Sequence, residues 1–274
     1  MIESERKQII DLVRREVIPA IGCTEPIAVA LCVAKAVETL GTKPENIKVF
    51  LSANILKNAM GVGIPGTGMI GLPIAVALGA IIGKSEYQLE VLKDSTPEAV
   101  KLGKQYINEK RVCISLKEGI AEKLYIEVLC EAEGKVATAI IAGGHTTFIY
   151  IARGEEILLD KQLVGTEEQD EKSLDLNLKK VYDFALTVPL EEIRFILETA
   201  RLNKAAAESS FQGDYGHALG KVLRGRYEHQ IMGDSVFSHI LSYTSAACDA
   251  RMAGAMIPVM SNSGSGNQGI SATL

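Results

Sequence analysis

No two of the five cysteines form a CxxC pair: Cys23, Cys32, Cys113, Cys130 and Cys248 lie far apart in the 274 residues. That spacing is poor for a disulfide framework and for a closed zinc site, and it fits a reducing cytoplasm. No basic excess is present either. The net charge is −5, which argues against nucleic acid as a main partner. Charges run through residues 1–15, so the start of the chain does not read as a signal peptide. The most apolar stretch, residues 60–83, is interrupted by glycines and by Pro65 and Pro73. It reads as a buried loop and helix, not as a membrane span. The loop Gly61–Gly68 lacks the Gly-Lys-Ser/Thr ending of a phosphate loop, and its glycine spacing misses GxGxxG. No HExxH or comparable metal spacing occurs among the four histidines.

Hydrophobic content is 47% and charged content 23%, as in an ordinary globular protein of one or two domains. Apolar spacing predicts a helix over residues 3–17. A second helix starts near Cys23 or Thr24, with Pro26 in its first turn, and ends at Gly41. The second helix is apolar almost all round, so it should be central and packed against the C-terminal helices. Residues 47–53 read as a strand, Asn54–Asn58 as a turn out of it, and residues 72–82 and 96–108 as helices. Alternating Val- and Ile-rich segments at 111–116, 123–131, 135–142, 146–152 and 156–159 form an antiparallel sheet, with hairpin turns at Glu133-Gly134 and Arg153-Gly154. An acidic patch at 167–172 reads as a linker. Helices follow at 174–185, 189–208, 215–223 and 235–253, with no strand signal. The expected fold class is α+β: an antiparallel sheet with helices in the middle, packed beside a largely helical domain. The expected divisions are residues 1–44, joining the C-terminal domain; 45–166, the α/β domain; and 167–274, the helical domain.

Near the end lies Ser261-Asn262-Ser263-Gly264-Ser265-Gly266-Asn267-Gln268-Gly269, a run without charge or large apolar groups. Such a run presents backbone N–H groups and small polar side chains to a small ligand; it also has the composition of a flexible linker. Cys23 sits at a helix N-terminus, where a thiolate is stabilised. It reads as a base, a nucleophile, a metal ligand or a small buried residue. Cys32, Cys113 and Cys130 read as core. Lys57, with Asn54 and Asn58, could neutralise and orient a carboxylate, or be solvated. His145, beside Thr146 in a Gly-Gly-His-Thr-Thr turn, is a candidate proton carrier or a structural residue. His217, His229 and His239 read as surface or packing residues. Asp249 and Arg251 read as a pair or as pins for the polar loop, with direct catalysis as the alternative.

The segments Gly22-Cys-Thr-Glu-Pro26, Asn54-Ile-Leu-Lys-Asn58, Gly144-His-Thr146, Asp249-Ala-Arg-Met252 and Pro258–Gly269 occur in this order. Together they resemble the L-cysteine desulfidase family, related to the alpha part of iron–sulfur L-serine dehydratases. The resemblance implies a lyase that splits L-cysteine to pyruvate, ammonia and sulfide without pyridoxal phosphate. It also implies a [4Fe–4S] cluster whose open iron acts as a Lewis acid. By position, Cys23 corresponds to the base that takes the Cα proton. Asn54, Lys57, Asn58, His145, Thr146, Asn262, Ser263, Gly264, Ser265, Gly266 and Asn267 correspond to substrate-site residues. Family members continue well past residue 274, and the cluster cysteines lie mainly in that later part, so the metal ligands stay unassigned and this chain reads as a fragment or a short form. The expected partner is a small amino acid, not nucleic acid or membrane, with a homo-oligomer left open. The rival expectation is a catalytically silent amino-acid-binding protein that keeps the pocket without the cluster.

Overall fold

Residues 24–40 are rich in Ala, Val, Leu and Ile on every side, and they form a helix that is buried along most of its length. A computed structural model describes residues 2–161, 176–225 and 233–274. Helix α1 (Glu3–Glu16) and the short strand β1 (Pro19–Ile21) lead into α2 (Thr24–Leu40). Ala28 to Ala34 of α2 are fully buried. Strand β2 (Asn46–Leu51), α3 (Ala53–Ala59), a small hairpin of β3 (Gly63–Ile64) and β4 (Met69–Ile70), and α4 (Leu72–Ile81) follow. A 3-10 segment (Ser85–Glu90) precedes α5 (Pro97–Asn108), which Thr96 caps through its hydroxyl.

Strands β5 (Val112–Leu116), β6 (Tyr125–Ala132), β7 (Lys135–Ala142), β8 (Phe148–Arg153) and β9 (Glu156–Asp160) complete a six-stranded sheet in the order β5-β2-β6-β7-β8-β9. Five of its strands, β2 and β6 to β9, pair antiparallel as the alternation predicts. The exception is β5, which pairs parallel to β2 because α3, α4 and α5 carry the chain across between them. Burial alternates along β6, and the inward residues Ile126, Val128 and Cys130 belong to the same core as α2.

Helix α2 lies against β6, β7 and β8 on one side and α4 on another, and α4 packs in turn on α5. This corrects the expected packing of α2 on the C-terminal helices: its all-round apolar surface is satisfied by a sheet and a second apolar helix. The N-terminal segment meets the C-terminal half elsewhere. Arg6 pairs with Glu192 at 3.0 Å, and the Arg14 guanidinium lies 4.0 Å from the Phe195 ring centroid.

The C-terminal half is built from α6 (Leu178–Thr187), α7 (Leu190–Ile193), α8 (Leu197–Gln212), α9 (Leu219–Leu223), α10 (Val236–Met252), β10 (Pro258–Met260) and α11 (Gly266–Thr273). Ala206, Ala207, Ala246, Ala247, Val259 and Ile270 form its buried cluster, the small side chains letting α8 and α10 approach closely. Leu178, Leu190 and Val236 remain largely exposed on this half. The chain is therefore α+β. The expected acidic linker, the start of the helix expected at 174 and His229 lie outside the described residues. Among the described residues no helix is long and apolar enough to cross a membrane.

Two segments to which the sequence reading assigns no element are strands. Pro19–Ile21 and Pro258–Met260 pair antiparallel, Ala20 opposite Val259. Three-residue strands carry too little alternation to be seen in sequence.

Candidate active site

Pairing β1 with β10 sets the polar run beside the start of α2. Ser261 N–H and Oγ both donate to the Ile18 carbonyl, at 2.9 and 2.7 Å, and Ser263 N–H donates to the Glu16 carbonyl at 3.0 Å. Asn262 and Ser265 then exchange backbone hydrogen bonds of 3.0 and 2.9 Å across a tight turn. Ser265 caps α11 by accepting from Gln268 N–H at 3.2 Å. The run is thus neither a linker nor an open loop: it is a strand end, a turn and the first turn of a helix.

The turn carries Gly264 into the sheet's Gly143–Thr147 loop. Gly264 has φ +73°, and a Cβ on it would stand 2.4 Å from His145 Nδ1, so the imidazole rests on bare backbone. A cleft of about 330 Å³ opens here, lined by residues including Thr146, Ser263, Gly264 and His145. Burial pushes the His145 pKa down, Arg251 acts in the same direction, and Glu25 opposes them.

Gly264 also borders a second cleft of about 280 Å³, lined by Cys23, Thr24, Glu25, Asn58, Val62, Arg251, Met252, Gly264, Ser265 and Asn267. Cys23 is the N-cap residue of α2, but its thiol makes no cap bond. It is buried, and its Sγ lies 3.5 Å from Met252 Sδ. The expectation of a lowered thiol pKa is corrected: burial raises it, Arg251 opposes this, and Glu25 adds to it. Desolvation outweighs the helix N-terminus because the sulfur is buried against a thioether and makes no cap bond to the N–H groups of the first turn.

Arg251 is the organising side chain. Its Nε donates to the Gly22 carbonyl at 3.1 Å and its Nη1 to Asn267 Oδ1 at 2.9 Å. It makes no ion pair with Asp249 among the described residues; Asp249 Oδ2 instead accepts from Gly220 N–H at 3.1 Å. Of the two structural roles open for this pair in sequence, pinning the polar loop belongs to Arg251 and mutual pairing is absent.

Asn54, Lys57 and Asn58 lie on α3, not in a turn, because Ser52 to Ala59 continue into a helix after the strand. Asn58 reaches the second cleft and donates to Glu25 Oε1 at 3.4 Å. Asn54 and Lys57 are exposed and line neither cleft. Asn262 lines neither cleft, and its Oδ1 accepts from the Ser263 hydroxyl at 3.2 Å. Sequence reasoning missed Glu25 and Met252 as lining residues and undervalued Arg251. The signal in the sequence was a lone arginine shortly ahead of an uncharged Ser/Gly/Asn run; its burial became visible only in the fold.

A [4Fe–4S] cluster needs thiolates brought together. Among the described residues no group of three or more His, Cys, Asp or Glu is placed to hold a metal ion. Cys32 is fully buried and donates to the Ala139 carbonyl at 3.3 Å. Burial pushes the Cys130 thiol up to about 12. Cys113 is exposed on β5, which corrects its reading as core, because β5 is an edge strand. Cys248 lines a separate cleft with His217 and Asp249. The described residues alone do not fit the cluster.

Residues 86–274 match the family model described as serine dehydratase alpha chain. The chain belongs to that family. It is 83% identical over 274 residues to a UPF0597 protein of Bacteroides fragilis and 80% identical over 274 residues to one of Bacteroides thetaiotaomicron. A UPF0597 protein of Oleidesulfovibrio alaskensis is 42% identical over 275 residues. Each match covers 100% of this chain and 64% of the relative, so the chain spans about two thirds of the length of these relatives. No solved structure matches.

Proposed function

We propose that this serine dehydratase-like chain carries the substrate-binding part of an amino-acid lyase of the L-cysteine desulfidase type. The observation behind the reading is the convergence of Cys23, Arg251, Asn58, Ser265 and Asn267 on one small cleft. These residues come from α2, α3, the turn and both final helices. Structural need alone does not require so many polar groups at one point.

In the proposed reaction the Cα proton passes to the Cys23 sulfur, acting as thiolate. The C–H electron pair becomes the Cα–Cβ double bond, and sulfide leaves Cβ with the former C–S pair. The aminoacrylate product then takes up water to give pyruvate and ammonia. Cys23 has to lose its own proton first, and the Arg251 charge is the influence that favours this against burial. The amide and hydroxyl groups of Asn58, Asn267 and Ser265 orient the bound molecule. The described residues supply no electrophile for the leaving sulfur, and no step is assigned to one.

The second reading, a silent amino-acid-binding protein, is favoured by the raised Cys23 thiol and by the scattered cysteines. One experiment separates the two. The protein is purified without oxygen, its iron and sulfide are measured, and it is given L-cysteine or L-serine. Release of pyruvate, accompanied by sulfide when the substrate is L-cysteine, and abolished in Cys23→Ala, supports the lyase; binding without pyruvate supports the silent protein.

A further inference from the structure

Arg251 is 6% exposed, yet every acceptor it meets is neutral: the Gly22 carbonyl, the Asn267 amide oxygen and, at 3.7 Å, the Met252 sulfur. Among the described residues no carboxylate stands within ion-pair distance of it. A guanidinium shielded from water without a counter-charge is an expensive arrangement. It is kept in place by geometry: a Cβ on Gly266 would stand 2.2 Å from Nε, so the side chain lies flat on the first turn of α11. Among the described residues its Nη2 meets no acceptor, and the guanidinium borders the cleft of about 280 Å³.

Glu25 lines the same cleft, half-buried. Its two oxygens accept from the Thr24 hydroxyl at 3.1 Å and the Asn58 amide at 3.4 Å, both neutral donors. The two opposite charges do not pair with each other, although both act on Cys23 and on His145. One cleft therefore holds an unmatched cation and an unmatched anion with a thiol near both. It is smaller than the usual span of drug-sized pockets, which suits a ligand of a few heavy atoms.

We infer that Arg251 holds a substrate carboxylate and Glu25 its ammonium group, so that the cleft selects small α-amino acids over molecules carrying one of these charges. With Nε and Nη1 anchored on Gly22, Asn267 and Met252, the guanidinium holds its Nη2 in a fixed direction for a carboxylate, which a lysine does not reproduce. Lys57, the sequence candidate for this role, is exposed on α3 outside the cleft. An acid in the first turn of α2 is also favoured by the helix dipole alone, so the Glu25 variant is a decisive part of the test. The inference rests on the reading of this cleft as an amino-acid site, but not on any turnover.

The test is calorimetric binding of L-2-aminobutyrate, which matches cysteine in shape and has no leaving group. Butyrate, which lacks the amine, and propylamine, which lacks the carboxylate, are the comparisons. The intact protein is expected to bind L-2-aminobutyrate, and each truncated ligand about ten-fold or more weakly. Arg251→Lys should weaken L-2-aminobutyrate and butyrate alike by about ten-fold, with thermal melting confirming that it folds. Glu25→Gln should weaken L-2-aminobutyrate while leaving butyrate unchanged. Equal binding of L-2-aminobutyrate and propylamine, unaltered binding in Arg251→Lys, a Glu25→Gln protein that binds L-2-aminobutyrate like the parent, or no binding by the parent would each overturn the assignment. A protein that binds as expected but forms no pyruvate from L-cysteine keeps the assignment and loses only the lyase reading.

Discussion

Arg251 and Gly266 share one volume: the arginine Nε occupies the place a Cβ on Gly266 would enter, 2.2 Å away. The side chain that connects α10 to the start of α2 thus depends on the absence of a side chain on α11. Gly266→Ala should displace the guanidinium and cost about 1–3 kcal/mol of stability. Urea unfolding measures that cost, and a variant as stable as the parent would show that Arg251 has another place to go.

Gly264 bears two constraints, a positive φ and contact with His145, whereas Gly134 has φ +71° and open space around it. Gly134→Ala therefore carries backbone strain alone, of order 1–3 kcal/mol. Gly264→Ala should cost more, because it also pushes the imidazole out of its seat. The difference between the two melting temperatures isolates the collision, and equal melting temperatures would deny it.

Buried thiols tie stability to alkaline pH. Burial holds the Cys130 thiol at about 12, Cys32 well above its ordinary value, and Cys23 raised. The folded chain keeps these protons to higher pH than the unfolded chain, whose thiols titrate near ~8.5. The stabilisation is fully present below that pH and is lost as pH climbs through the folded values. Stability to urea should fall steadily above about pH 9, and less steeply in Cys130→Ala, measured relative to its own neutral-pH value. A flat profile in the parent protein would show that these thiols are not shielded.

His145 works in the opposite direction. Its depressed pKa makes the neutral ring the folded form, so its contribution is present above about 6.5 and is lost as pH falls through the folded value. An NMR titration of the imidazole should give a midpoint below that of exposed histidines, and Arg251→Gln should move it upward. A midpoint in the ordinary range would mean that water reaches the ring.

Helix α3 offers a scan of three neighbouring polar residues with different surroundings. All three are exposed, but Asn58 lines the cleft and donates to Glu25, whereas Asn54 and Lys57 line neither cleft. Asn58→Ala should weaken L-2-aminobutyrate binding several-fold, by roughly the worth of one hydrogen bond. Asn54→Ala and Lys57→Ala should leave it within error. Loss of binding in Lys57→Ala would return the carboxylate role to that lysine.

The periodicities that one element needs were legible without the fold. Ile9 and Ile10 mark the inner face of α1, Gly41 ends α2, and the alternation from Tyr125 to Ala142 gives a hairpin closed at Glu133-Gly134. The family resemblance was legible too, because short motifs such as Gly22–Pro26 and Pro258–Gly269 depend on residue identity and order. Partners across the chain were not. That α2 rests on the sheet and α4, that β5 runs parallel to β2, and that Pro19–Ile21 finds Pro258–Met260 are choices among surfaces that look alike locally. The state of Cys23 was likewise undecided, since its place at a helix start argues for a lowered pKa and only the packing of Met252 and neighbouring chain reverses it. Local pattern fixes which face of an element is apolar; tertiary packing decides what covers that face, and with it how much water, and which charge, each side chain of the cleft meets.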